Sequence, residues 1–135
     1  MTFSLSSFES DDITCFDIIK VYYALTNIEL EILSTVHINQ PIDIKSITEI
    51  IPKDRTTISR SIKRLMSIGF VKQDRVCLEK GGYKYLYSTL SIREIREKIT
   101  KLIERINNRM IEAMSQLTEE KCLQIYKEIK EKYPQ

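Results

Sequence analysis

The chain of 135 residues has few of the residues that build metal centres, disulfide frameworks and flexible linkers. Its one histidine is His37, and its three cysteines, Cys15, Cys77 and Cys122, are far apart and form no C-x-x-C pair. We therefore expect no His/Cys metal site, no disulfide framework and a reducing compartment. Three glycines and three prolines are too few for a collagen-like or linker-rich architecture.

Long apolar runs are absent as well. No stretch approaches the roughly 18 consecutive apolar residues that a membrane span needs. The N-terminal MTFSLSSFESDD lacks the basic start and the apolar run of a signal peptide. Because 42% of the residues are hydrophobic and 30% are charged, we expect a single globular domain over residues 1–135, in the cytoplasm and without a membrane partner.

Charge is distributed unevenly, although the formal net charge is only +2. Residues 1–50 carry two lysines against eight acidic residues, a net charge of −6. Residues 51–84 carry nine lysines and arginines against three acidic residues, a net charge of +6. Such a basic block is expected of a surface that neutralises phosphates. The alternative is a solvated face that pairs with the acidic N-terminal segment.

Apolar periodicity and helix caps predict a mainly helical chain with a small β-hairpin. A Thr26-x-x-Glu29 capping box starts one helix, Asp43 is a candidate cap for a short helix, and Gly69 ends the next. Thr118 is a candidate cap for the last helix. The predicted helices cover residues 11–24, Thr26 to about His37, 44–51, 55–68, 91–117 and 119–133. After Gly69 the period changes, which predicts strands over 70–78 and 83–90 around a turn at 79–82.

The helix over 91–117 opens with a Ser91-x-x-Glu94 capping box and is about 40 Å long. Its apolar residues alternate at spacings of three and four up to Ile106 and continue with a small shift, which predicts a heptad-like dimerisation seam. The seam residues are Ile92, Ile95, Ile99, Leu102, Ile106, Met110, Ala113 and Leu117. A purely intramolecular core is the alternative, but a helix of this length overshoots the rest of the predicted domain.

The predicted order of elements is a helix-turn-helix followed by a hairpin wing. The second helix of this motif has an apolar side and an opposite side that is basic, rich in hydroxyls and free of carboxylates. Such side chains suit base edges and phosphates in a DNA major groove. The candidate residues of this recognition helix are Arg55, Thr56, Thr57, Ser59, Arg60, Lys63, Arg64 and Ser67. We favour Arg60 and Lys63 for DNA contact, and expect Arg55 and Arg64 to contact phosphates rather than bases.

The candidate wing residues are Lys80, Gly81, Gly82, Tyr83 and Lys84. They place two flexible glycines between two lysines, so the wing tip can lie against phosphates or in a minor groove. The alternative for the two glycines is an ordinary hairpin turn. The tyrosines of the returning strand fit strand packing better than base stacking.

The run IPKDRTTISRSIKRLMSIGFVKQDRVCLEKGGYKYLY resembles archaeal and bacterial winged-helix regulators of the MarR and TrmB kind. A Thr-x-Ser-Arg-x-x-x-Arg-Leu pattern from Thr57 to Leu65, the following Gly69-Phe70-Val71 and the Lys-Gly-Gly-Tyr wing carry the resemblance, which covers residues 25–90. It implies a DNA-binding transcription factor that is usually a homodimer. Since the large effector domain of sugar-responsive TrmB proteins has no counterpart here, a short archaeal-like form fits best.

Together these features predict a homodimeric, sequence-specific transcriptional regulator that binds double-stranded DNA and is associated with the nucleoid. Its winged-helix core would span 26–90, with helices 11–24 and 91–133 for dimerisation. A non-specific chromatin or architectural DNA-binding protein and a winged-helix protein-interaction module are the alternatives. We expect no cofactor and no enzymatic activity, because one histidine and no nucleotide-binding loop leave no chemistry to assign. No residue set marks a small-molecule effector site.

Overall fold

The computed structural model of the protein describes residues 8–9 and 11–133 and is mostly helical. Its elements are α1 (Cys15–Tyr23), α2 (Asn27–Asn39), α3 (Ile44–Ile50), α4 (Arg55–Ser67), β1 (Val71–Cys77), β2 (Tyr83–Thr89), α5 (Ile92–Ser115) and α6 (Glu119–Lys132). The chain divides into two compact units, Met1–Arg96 and Glu97–Gln135. The predicted class, mainly α with one small β-hairpin, is confirmed.

Side-chain caps determine where the helices begin. The predicted capping box of Thr26 and Glu29 is present at the start of α2. A second box, formed by Thr14 and Asp17, starts α1, so this helix begins at Cys15 rather than at residue 11. The prediction of residues 11–24 relied on apolar spacing and acidic residues and therefore missed this box.

The core of the first unit lies between α2, α3, α4 and the base of the hairpin. Its most buried side chains are Ile32, Val36, Ile47, Ile51, Ile58, Ile62, Leu65 and Phe70. On α4, the buried residues Ile58, Ile62 and Leu65 recur at spacings of four and three. Because this apolar side packs against α2 and α3, the opposite side of α4 faces solvent.

The wing is an antiparallel hairpin in which Val71 lies opposite Thr89 and Cys77 lies opposite Tyr83. The base of the hairpin is anchored to the segment between α2 and α3. Ile42 and Tyr87 exchange two backbone hydrogen bonds, of 3.1 and 2.8 Å. Since only Val71 is buried among the β1 residues, the rest of this strand projects beyond the core.

His37, in the last turn of α2, helps to hold the hairpin base. Its Nδ1 lies 2.9 Å from the hydroxyl of Thr89, whose backbone N–H donates to the side chain of Gln40 at 2.8 Å. The histidine therefore ties α2 to β2, in a stretch of the chain where the sequence predicted only the end of a helix.

Helix α5 has 24 residues and is about 36 Å long at 1.5 Å per residue. The predicted Thr118 cap is present at the start of α6, since its hydroxyl accepts a hydrogen bond from Lys121 N–H at 3.1 Å. Of the seam residues, Ile99 is buried, Ile95, Leu102 and Ile106 are half-buried, and Ile92, Met110, Ala113 and Leu117 are exposed. No helix within the described ranges is long and apolar enough to cross a membrane.

Candidate nucleic-acid interface

Helix α4 turns most of its predicted contact residues toward solvent. Asp54 caps the helix, because its carboxylate accepts a hydrogen bond from Thr57 N–H at 3.0 Å. Hydrogen bonds from Thr57 lower the pKa of Asp54 below its ordinary value, and the charge of Arg60 adds a smaller contribution. The exposed candidates are Arg55, Thr56, Arg60, Lys63 and Ser67, while Thr57, Ser59 and Arg64 are half-buried.

Five of these side chains line one shallow depression of about 470 Å³ on the surface. They are Arg55, Thr56, Ser59, Arg60 and Lys63. Because all five belong to α4, the depression is a feature of this helix alone. Its lining combines guanidinium, ammonium and hydroxyl groups with no carboxylate, which suits phosphate oxygens and the acceptor atoms of base edges.

The wing residues Lys80, Gly81, Gly82, Tyr83 and Lys84 are all exposed. Leu78 N–H donates to the carbonyl of Gly82 at 3.0 Å, which closes the turn. Both glycines have positive φ angles, 90° for Gly81 and 78° for Gly82. A residue with a Cβ rarely adopts this conformation, so the turn needs glycine at these positions.

One face of the wing carries a small aromatic cluster that the sequence pattern did not indicate. The rings of Tyr83 and Tyr85 meet edge to face with 5.4 Å between their centroids. The guanidinium carbon of Arg75 lies 4.6 Å from the centroid of Tyr83, a cation–π contact. The strand register places Arg75 opposite Tyr85, a pairing that becomes visible only once the hairpin register is known.

A groove of about 250 Å³ joins the wing to the helix-turn-helix. Its lining residues are Asp43, Ile44, Lys45, Arg55, Tyr83, Lys84, Tyr85 and Tyr87. The structure thus brings Arg55 of the recognition helix together with Lys84 of the wing and with Lys45, which was not among the predicted contact residues. Three cations from three elements meet in this groove.

One carboxylate also lies in the groove. Asp43 caps α3 by accepting a hydrogen bond from Ser46 N–H at 2.9 Å. Hydrogen bonds from Ser46 hold the pKa of Asp43 below its ordinary value, and the charge of Lys84 lowers it further. Since Lys84 Nζ lies 4.0 Å from Asp43 Oδ2, an ion pair joins the wing to the residue that caps α3.

Arg64 differs from the other predicted contact residues. Its Nη1 donates to Glu29 Oε1 at 2.7 Å and to the carbonyl of Ala24 at 3.0 Å, and its Nη2 donates to the carbonyl of Tyr23 at 2.7 Å. The predicted phosphate contact of Arg64 stays a prediction, and the structure adds three intramolecular acceptors for its guanidinium group. The helical period placed Arg64 beside the basic side of α4, but only the packing of α1 and α2 supplies its acceptors.

Glu29, the ionic partner of Arg64, is only 5% exposed. Burial by itself would raise the pKa of this carboxyl group. The hydrogen bonds from Thr26 and the charge and hydrogen bond of Arg64 outweigh burial, so the pKa of Glu29 lies below its ordinary value. The group is thus a buried carboxylate that remains ionised because Thr26 and Arg64 both donate to it.

No family model matches the chain. The uncharacterized protein MJ1503 of Methanocaldococcus jannaschii is 34% identical to it over 90 residues, which cover 67% of this chain and 68% of that protein. The chain belongs to the MJ1503 family.

Solved structures share the fold of this MJ1503-family chain. A possible transcriptional regulator from Methanosarcina mazei Go1 is 25% identical with a TM-score of 0.69, covering 79% of this chain and 91% of that one. The ST1889 protein of Sulfolobus tokodaii is 26% identical with a TM-score of 0.57, covering 70% of this chain and 93% of that one. With the element order, these likenesses confirm the predicted winged helix-turn-helix fold, and with it the resemblance of residues 25–90 at the level of fold.

Proposed function

We propose that this MJ1503-family chain is a DNA-binding transcriptional regulator. The observation that carries the proposal is the exposed basic side of α4, where five side chains of one helix form a surface without carboxylates. The fold is shared with a structure described as a possible transcriptional regulator, which supports the same function. That description also agrees with the expectation that the chain is not an enzyme.

In this proposal α4 enters the major groove of double-stranded DNA, since a single helix fits its width. Arg60 and Lys63 lie near the middle of the exposed side and contact base edges. Arg55, Lys45 and Lys84 surround the 250 Å³ groove and contact the phosphates beside it. The wing tip with its two glycines follows the adjacent backbone or minor groove. These contacts make the binding sequence-specific and place the protein on the nucleoid.

We further propose that two copies associate through α5 and α6, with α1 contributing. Large apolar side chains with 42% to 68% exposure recur along the described part of the second unit. They are Met110, Ile111, Met114, Leu117, Leu123, Ile125, Tyr126, Ile129 and Tyr133. Nine large exposed apolar side chains between residues 110 and 133 are more than isolated surface positions, and apolar surface of this extent marks interaction sites. The occupant we propose is a second copy, because a two-fold dimer presents two recognition helices to half-sites about 34 Å apart.

Selection of bound duplexes from a random-sequence pool tests this function. The selected duplex should bind more tightly than a scrambled duplex of the same length. Its affinity should fall steeply with salt, since phosphate contacts release counterions. Equal affinity for both duplexes would favour the architectural alternative. No binding even at low salt would contradict the proposal and favour the protein-interaction alternative.

Arg60→Ala is the first variant to measure. Removal of a base contact should weaken binding to the selected duplex by about 1–3 kcal/mol and relax sequence preference. Lys72→Ala removes a basic side chain from an exposed position at the start of β1, outside both proposed surfaces, and is the matched control. Fluorescence anisotropy at fixed salt measures both variants. An affinity for Arg60→Ala equal to that of wild type would remove this residue from the interface.

A further inference from the structure

Arg64 joins three helices of the first unit. The residue belongs to α4, and its guanidinium donates to the last carbonyls of α1 and to the carboxylate that caps α2. The end of a helix leaves carbonyl groups that need donors from outside the helix. Arg64 is such a donor for α1, and it reaches across 40 residues of sequence to Ala24.

Glu29 makes this connection rigid. Its Oε1 accepts the N–H of Thr26 at 2.9 Å as part of the capping box of α2 and also accepts Arg64 at 2.7 Å. A charged group with so little exposure is costly to leave unpaired. The position of Arg64, and of the α4 segment that carries it, is therefore linked to the first turn of α2.

The end of α1 is held at the same place by a second contact. The ring of Tyr23 meets the ring of Phe70 edge to face with 4.8 Å between the centroids. Phe70 is fully buried and lies shortly after the end of α4. Ala24 then turns the chain with a φ angle of 52°, a left-handed conformation that is unusual for a residue other than glycine. Its carbonyl is one of the acceptors of Arg64.

We propose that Arg64 is a positioning residue that holds α4 at the angle at which its basic side meets DNA. In this role it links the location of α1 to DNA binding and does not contact phosphate itself. The inference deepens the proposed function and depends on it. The competing role is direct phosphate contact. The Arg64 side chain is 39% exposed, which leaves it accessible to a phosphate.

Glu29→Gln separates the two roles because they predict opposite signs. The amide oxygen of glutamine can still accept the N–H of Thr26, but the partner charge of Arg64 is gone. If Arg64 contacts phosphate, removing the competing carboxylate strengthens duplex binding. If Arg64 positions α4, the same change weakens binding to the selected duplex, by about 3- to 30-fold. Glu31→Gln removes an equal charge from an exposed position on α2 and is the matched control.

Arg64→Met supplies an independent comparison through salt dependence. The plot of log affinity against log salt becomes shallower by about 0.9 for each phosphate that the protein no longer neutralises. We expect Arg64→Met to weaken binding while the slope stays at the wild-type value. Arg55→Met, which removes a proposed phosphate contact from the exposed side of the same helix, should make the slope shallower. A shallower slope for Arg64→Met, or tighter binding by Glu29→Gln than by Glu31→Gln, overturns the proposal.

Hydrogen exchange of the DNA-free protein completes the experiment. In Arg64→Met and Glu29→Gln the amides of residues 15–24 and 55–67 should exchange faster than in Glu31→Gln. Affinities are measured where circular dichroism shows each variant folded and are corrected for the active fraction. If wild type binds no duplex, the proposed function fails, and exchange alone then decides the linkage. Amide hydrogen exchange that is unchanged in both variants overturns the proposed linkage between α1 and α4.

Discussion

At the scale of single residues, three carboxylates near α4 have defined structural partners. Asp54 caps α4, Asp43 caps α3, and Glu29 caps α2 while it pairs with Arg64. Hydrogen bonding lowers the pKa of each carboxyl group below its ordinary value. All three groups therefore stay ionised, and their oxygens are directed at backbone N–H groups and, for Glu29, also at Arg64.

The lowered pKa of Glu29 predicts acid sensitivity. A carboxyl group whose pKa is lower in the folded state binds more protons when unfolded, so it stabilises the fold at pH values above its unfolded pKa. This contribution is lost as the pH falls through the folded pKa. Urea unfolding of wild type between pH 7 and pH 3 should therefore show a steeper loss of stability than Glu29→Gln. Parallel curves for the two proteins would contradict the prediction.

At the scale of elements, the two sides of α4 have different roles. Its buried side stabilises the fold, and its exposed side is the one proposed to bind DNA. Ile58→Ala removes a fully buried side chain and should cost about 2–5 kcal/mol of unfolding free energy. Arg60→Ala, two positions along the helix, should change the unfolding free energy by less than about 0.5 kcal/mol, because the residue is exposed. Urea denaturation measures both values. A large loss of stability in Arg60→Ala would show that this side chain has a packing role.

A second prediction concerns the turn of the hairpin at Gly82. Gly82→Ala forces a positive φ on a residue with a Cβ and should destabilise the turn by about 1–2 kcal/mol. The added Cβ meets no atom within 4 Å, so the cost arises from backbone conformation rather than from a clash. Lys80→Ala in the same turn is the control. Thermal unfolding that is the same for Gly82→Ala and wild type would show that the turn tolerates the change.

At the scale of the whole molecule, the exposed apolar residues of α5 and α6 predict self-association. Leu117→Glu places a charge on a side chain that is 59% exposed and should weaken the proposed dimer. Gln116→Glu adds a charge to the neighbouring exposed position and is the control. Analytical ultracentrifugation across protein concentrations measures the association. A monomeric wild-type protein would remove this surface from the proposal.

Dimerisation and DNA binding should also be linked. Because two connected recognition helices bind two half-sites together, Leu117→Glu should weaken binding to a two-site duplex much more than binding to a single half-site. Anisotropy with the two duplexes measures the difference. Equal losses on both duplexes would indicate that the two copies do not bind one DNA molecule together.

The sequence alone determined those features of the protein that depend on residues only a few positions apart. The Thr26–Glu29 box, the caps at Asp43 and Thr118, the two strands and the two sides of α4 could all be predicted, because caps and periodicity act over three or four positions. Only the tertiary structure decided which basic residues share a surface. Arg64 finds acceptors about 40 residues away, and Lys45, Arg55 and Lys84 meet in one groove. Such contacts depend on how elements pack, and that packing is set by burial of the whole core rather than by any local pattern.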